Sequence, residues 1–161
     1  MTDPGQPKTF VPPNLLKARV APRIGALSPD ALAKAEAALK ALSNNFGQWL
    51  NDEIVKLETA RARIAEQGMT RETAEQFFIH AHDLKGLGGT YEFPLITRIA
   101  GSLCKLMSDK ETRASAPLPL VDAHIDAIKA VVRDDIRDPA HPVGSALAAE
   151  LERRVAVLSS D

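Results

Sequence analysis

Apolar side chains recur along this chain at intervals of three, four and seven residues, the period of amphipathic helices. Ser28 is a good N-cap, Pro29 suits the first helical position and Asp30 suits the positive end of the helix dipole. Leu32, Leu39, Leu42 and Phe46 then form one stripe. A second register runs through Leu50, Ile54, Leu57, Arg61 and Ile64, displaced by four residues around Asn44-Asn45-Phe46-Gly47. Either one long helix drifts there or two helices meet. Gly68 supplies a stop. The next segment begins near Thr70, carries Glu72 and Glu75 in its first turn, and presents Phe77, Phe78, Ala81 and Leu84 up to a glycine cluster. Phe93-Pro94 opens another, through Ile96, Ile99, Leu103 and Leu106. Lys110 to Pro119 reads as a polar loop. Leu120, Val121, Ile125, Ile128, Val131, Val132 and Ile136 mark a further helix, Pro139 and Pro142 break it, and Ala146 to Leu158 forms the last.

No strand alternation or Asn-Gly hairpin signal interrupts this series, and aromatic residues make up only 4% of the chain. The pattern predicts an all-α fold, an up-and-down four-helix bundle core with additional N-terminal and C-terminal helices. Phe77, Phe78, Leu84, Ile96, Ile99, Leu103, Leu106, Ile125 and Ile128 are expected to share one continuous core. Residues 1–27 hold five of the eleven prolines and keep no helical period, so they read as a flexible tail. Phe10, Val11, Leu15 and Leu16 are apolar enough to lie across the folded body. With 161 residues, the remainder, 28–161, fits one helical domain whose motif-bearing core covers about 46–136.

Twenty basic and 21 acidic side chains give a net charge of −1, which offers no electrostatic reason to expect nucleic acid or an anionic membrane as partner. No apolar run approaches the ~20 residues that span a bilayer. The opening Met1-Thr2-Asp3-Pro4-Gly5 lacks the basic start and apolar stretch of a secretory signal, so the cytoplasm is the expected compartment. Cys104 is the one cysteine; flanked by Leu103 and Leu106, it reads as a buried thiol.

The segment Phe77 to Pro94, FFIHAHDLKGLGGTYEFP, stands apart. On a helix, His82 lies one turn after Phe78 and one turn before Lys85 and Gly86, and Gly89 continues the strip. The core stripe through Phe77, Ala81, Leu84 and Gly88 runs beside it, which places His82 at the solvent edge. A neutral imidazole is a nucleophile near pH 7. Lys85 can offset the charge of a phosphoryl group carried on it, and the glycines leave clearance for a second protein. Gly86, Gly88 and Gly89 inside a helix would cost roughly 2–3 kcal/mol relative to alanine, so either the helix ends at Gly86 in a loop or it runs on at that cost.

His82-Asp83-Leu84-Lys85-Gly86 resembles the His-x-Leu-Lys-Gly motif of histidine-containing phosphotransfer (HPt) domains. The similarity extends through Gly88-Gly89-Thr90-Tyr91 and Phe93-Pro94. The resemblance implies a four-helix bundle in which the histidine helix runs on through the glycines and the next helix starts near Phe-Pro. It also implies a phosphorelay role: His82 accepts a phosphoryl group and exchanges it with aspartates of response-regulator receiver domains, fed by a hybrid sensor kinase. Lys85 would compensate phosphate charge, and Phe78, Gly86 and Gly89 would bind the partner. No cofactor is expected on this chain, the divalent cation belonging to the receiver, and a monomer suffices. Glu92 departs from the pattern, since that position is often glycine or another small residue.

His80 and His82 point about 200° apart on a helix and cannot share a metal, so no metal site is expected. His80 reads as a partly buried packing residue, His124 as solvated on its helix, and His141 as a loop residue. No Gly-x-x-x-x-Gly-Lys-Ser/Thr loop and no α/β segment is present to hold a nucleotide, so the protein reads as a carrier and not an enzyme. The alternative is a helical adaptor that docks receiver-like partners without being phosphorylated.

Overall fold

Each proposed start signal can be traced to a helix in the computed structural model, which describes residues 28–160. The tail expected over residues 1–27 lies outside them. The described residues form five α-helices and one short 3₁₀ turn, with no strand among them. These are α1 (Pro29–Gln67), α2 (Arg71–Thr90), α3 (Pro94–Leu106), the turn Arg113–Ser115, α4 (Leu118–Arg133) and α5 (Pro142–Leu158).

The chain divides into two compact units, Met1–Leu42 and Ser43–Asp161. In the first, α1 opens on Ser28, whose Oγ accepts from the Ala31 amide at 3.2 Å, and Leu32, Leu39 and Leu42 are exposed. The second unit begins at Ser43. There the second register of α1 is buried: Leu50, Ile54, Leu57 and Ile64 face the core, with Ala60 between them. The shift of stripe is thus carried by one continuous helix, which ends at Gly68 with a φ of +85°, a conformation glycine adopts without a Cβ penalty.

Thr70 caps α2 in a reciprocal box. Its Oγ1 accepts from the Thr73 amide at 3.1 Å while the Thr70 amide donates to Thr73 Oγ1 at 2.9 Å. From there Ala74, Phe77, Ala81, Leu84 and Gly88 turn inward at helical spacing. Pro94 sets the first turn of α3, whose buried residues, Leu95, Ile96, Ile99, Ala100, Ser102, Leu103 and Cys104, wrap most of its circumference. That breadth follows from its place: α3 packs against α2, α4 and α5. Of the residues expected in the core, Phe78 and Leu106 are only half-buried at its margin, and the rest are buried. Bidentate pairs join helices at the surface, Arg61 to Asp122 at 2.6 and 2.9 Å and Arg98 to Glu152 at 2.7 Å twice.

Two sequence expectations are corrected here. Pro142 does not break a helix but begins one: its missing N–H costs nothing in the first turn, and His141 caps that turn through Nδ1, accepting from the Gly144 amide at 3.3 Å. α5 therefore starts four residues before Ala146. His124 is not solvated. It is fully buried, with Nδ1–H donating to the Leu120 carbonyl at 2.7 Å and Nε2 paired with Ser102 Oγ at 3.0 Å. In the neutral ring that burial favours, Nε2 is the acceptor for the Ser102 hydroxyl. Burial pushes its pKa down from the ordinary histidine value.

Candidate functional site

α2 continues without interruption to Thr90, so the glycines belong to the helix and not to a loop. Of the three, Gly88 explains itself by packing. A Cβ there would lie 2.5 Å from Thr97 Oγ1, 2.7 Å from the Thr97 amide nitrogen and 3.1 Å from the Phe93 carbonyl oxygen. Only a residue without a side chain lets α2 and α3 approach this closely. Gly86 is different: nothing lies within 4 Å of the place its Cβ would take, and Gly89 would make one ordinary contact with Thr97. Packing therefore demands glycine at 88 and leaves 86 and 89 free for another reason.

His82 is exposed between buried Ala81 and Leu84. Its ring centroid lies 6.1 Å from that of Phe78, with 38° between the planes. Lys85 is exposed one turn on, and its stem passes over Gly101 of α3, Cε and Cδ standing 3.8 and 3.9 Å from where a Cβ would be. The apolar part of the chain thus rests on a neighbouring helix while the ammonium stays near the surface. Gly86 and Gly89 are exposed along the same strip. Phe78, His82, Lys85, Gly86 and Gly89 are thus brought onto one face of α2. His80, two residues from His82, is half-buried, and its Nδ1 has no hydrogen-bond partner.

The Cys104 thiol is buried and its pKa raised by desolvation, with the nearby cations Lys85 and Arg113 acting the other way. A thiol held neutral is a poor nucleophile, so packing describes it fully.

Arg113 escaped the sequence reading. It lies in the stretch taken as a polar loop, yet it is 4% exposed. Nε donates to the Met107 carbonyl at 2.7 Å, one terminal nitrogen donates to the Glu75 carboxylate, and Cζ lies 3.7 Å from the Phe78 ring centroid. Its two partners on α2, Phe78 and Glu75, are 35 and 38 residues away, and no local period could have revealed them. The clustering of Phe46, Trp49 and Tyr91 was also missed; their ring centroids are 5.5 to 6.4 Å apart where α1 passes the end of α2.

No described helix is long and apolar enough to cross a membrane. Comparison of the chain with protein families, with curated proteins and with solved structures finds no match.

Proposed function

We propose that this protein is a histidine phosphotransfer carrier of a phosphorelay, with His82 as the phosphorylated residue. The observation that carries this reading is an exposed imidazole on a rigid helix, with Lys85 one turn away and the side-chain-free position Gly86 beside it. In the forward step a nitrogen of neutral His82 attacks the phosphorus of an aspartyl phosphate on a receiver domain. The N–P bond forms as the P–O bond to the aspartate breaks, the carboxylate leaves, and the second ring nitrogen keeps its proton. The reverse step returns the group to another receiver. Lys85 offsets charge on the transferring group, and the receiver brings its own divalent cation. The open strip at Gly86 and Gly89 gives the partner room for in-line approach. The chain needs no nucleotide site for this role, because a sensor kinase supplies the phosphate upstream, and a monomer in the cytoplasm is sufficient.

The test is transfer from a purified, phosphorylated receiver domain to this protein. The expected product carries an alkali-stable, acid-labile phosphate on His82 and disappears with His82→Gln. Binding of the receiver without transfer would instead favour the adaptor reading, in which the same strip serves only for docking.

A further inference from the structure

Glu75, Phe78 and His82 stand at intervals of three and four on α2 and so share one strip. A residue from outside the helix grips the first two. Arg113, in the connection between α3 and α4, pairs with the Glu75 carboxylate and lies over Phe78, Cζ 3.7 Å from the ring centroid. Its remaining donors close the end of α3, Nε to the Met107 carbonyl at 2.7 Å and a terminal nitrogen to the Ser108 carbonyl at 3.4 Å. Closing a loop explains the last two bonds. It does not explain why a buried cation reaches across to two side chains of the histidine helix, or why that cation is a planar guanidinium. A lysine could meet carbonyls and a carboxylate; stacking on the ring while forking between two sets of acceptors requires arginine.

We propose that Arg113 is a positioning residue for His82: by clamping Phe78 and Glu75 it fixes the aromatic ring beside which the imidazole rests, and so selects the imidazole orientation used in phosphoryl transfer. Arg113 acts through Phe78 and not by touching the phosphate. A cation over an aromatic face within about 6 Å is attracted by the ring quadrupole, more strongly when both are desolvated. A Phe78 held in this way restricts the rotamers open to the side chain one turn on. Its catalytic meaning rests on the phosphotransfer reading above, whereas the placement of the ring does not.

The experiment combines Arg113→Lys, which keeps the charge, with Phe78→Leu, which keeps apolar bulk without a ring, and with the double variant. Two readouts are taken on the full chain: the rate of transfer from a phosphorylated receiver, and the NMR resonances of the His82 ring, with those of His141 as internal control. The expected result is about tenfold slower transfer in each single variant, less than the roughly 100-fold a 1 Å misplacement can cost. The double variant should be no slower than Phe78→Leu alone. The His82 resonances should move in each variant while those of His141 stay in place. Arg113→Lys with unchanged transfer and unmoved His82 resonances would overturn the proposal, as would additive slowing in the double variant. If Arg113→Lys does not fold, Glu75→Gln, which loosens the guanidinium and keeps the Phe78 ring, decides in its place, and normal transfer with unmoved His82 resonances refutes the proposal. If the wild-type protein takes no phosphate, the phosphotransfer reading fails, and the resonances still report whether Arg113 sets the imidazole.

Discussion

Gly86 and Gly88 are two residues apart on α2 and meet opposite surroundings, open space at one and Thr97 at the other. Alanine at 86 adds helix propensity with nothing to strike, so Gly86→Ala should raise stability by up to about 1 kcal/mol. Alanine at 88 must push α3 away, and Gly88→Ala should cost about 1–3 kcal/mol. Chemical denaturation of the two variants checks the contrast; equal effects would mean that α2 and α3 are less tightly seated. His124 supplies a pH dependence of known sign. Its folded-state pKa lies below the ordinary 6.5, so the unfolded chain binds a proton that the folded chain refuses. The stability it contributes is complete above pH 6.5 and falls as the pH drops below that value, levelling at the folded pKa. The slope approaches about 1.4 kcal/mol per pH unit in that window. Subtracting the same pH series for His124→Gln isolates the effect, and identical series would show the ring to be protonated when buried. At the site, Lys85→Ala should slow transfer by about 1–2 kcal/mol of barrier while leaving unfolding unchanged, and Gly86→Leu should block transfer without loss of stability. Unfolding of the lysine variant would make Lys85 structural instead. Residue by residue, the placement of Phe78, His82, Lys85, Gly86 and Gly89 on one face was legible because helical spacing alone sets it. The environment of His124 was not: Ser102 lies 22 positions away, and only packing of α4 on α3 joins them.

At the level of elements, α2 and α4 end in the same way. Each closes on a Schellman pair: Phe93 N–H to the Gly88 carbonyl at 2.8 Å with Glu92 N–H to Gly89 at 3.3 Å, and Ile136 N–H to Val131 at 2.9 Å with Asp135 N–H to Val132 at 3.1 Å. The position that favours glycine is filled by Glu92 with φ +62° and by Asp135 with φ +50°. One residue joins both. Arg137 donates to Glu92 at 3.2 Å and to Asp135 at 2.8 Å, and its Cζ lies 4.6 Å over the Phe93 ring. This gives Glu92 a structural role, the function that its departure from the glycine pattern left open. Arg137→Ala should cost about 1–2 kcal/mol through the lost stacking and exposed pairs. Glu92→Gly should stay within about 0.5 kcal/mol of wild type, because relief of the left-handed backbone offsets the lost pair and the looser unfolded chain. Thermal unfolding of both variants measures this; a larger loss for Glu92→Gly would place the clamp at Glu92. Helix type and order were readable from period and caps; the count was not, because the shift of stripe around Asn44 to Gly47 fits one helix or two, and α1 is continuous. The start of α5 was misread because a proline that stops one helix and a proline that begins the next look alike until the preceding residue is seen to cap.

For the molecule as a whole, the helical fold followed from the sequence because its apolar residues recur at helical spacing, and the stripes from Leu50 onward are buried against one another while Leu32, Leu39 and Leu42 stay exposed. The breadth of the apolar surface on α3 marks the helix with most neighbours. What could not be read was contact between distant segments, as the Arg113 clamp illustrates with bonds from one connection to another helix. The seat of Gly88 against Thr97 also has a consequence in time. A turn with three glycines on an isolated helix would open its amides to water readily. Here that turn can open only if α3 lifts away, since the Gly88 carbonyl is bonded to the head of α3 and a Cβ at Gly88 would stand 2.7 Å from the Thr97 amide nitrogen. Hydrogen–deuterium exchange should then find Leu87 to Thr90 protected to within about tenfold of Ala81 to Leu84; rapid exchange confined to the glycines would show a frayed end. On the proposed docking role, a protected turn would meet its partner already in its bound shape. Association then needs no ordering step, and its rate is set by encounter and orientation alone.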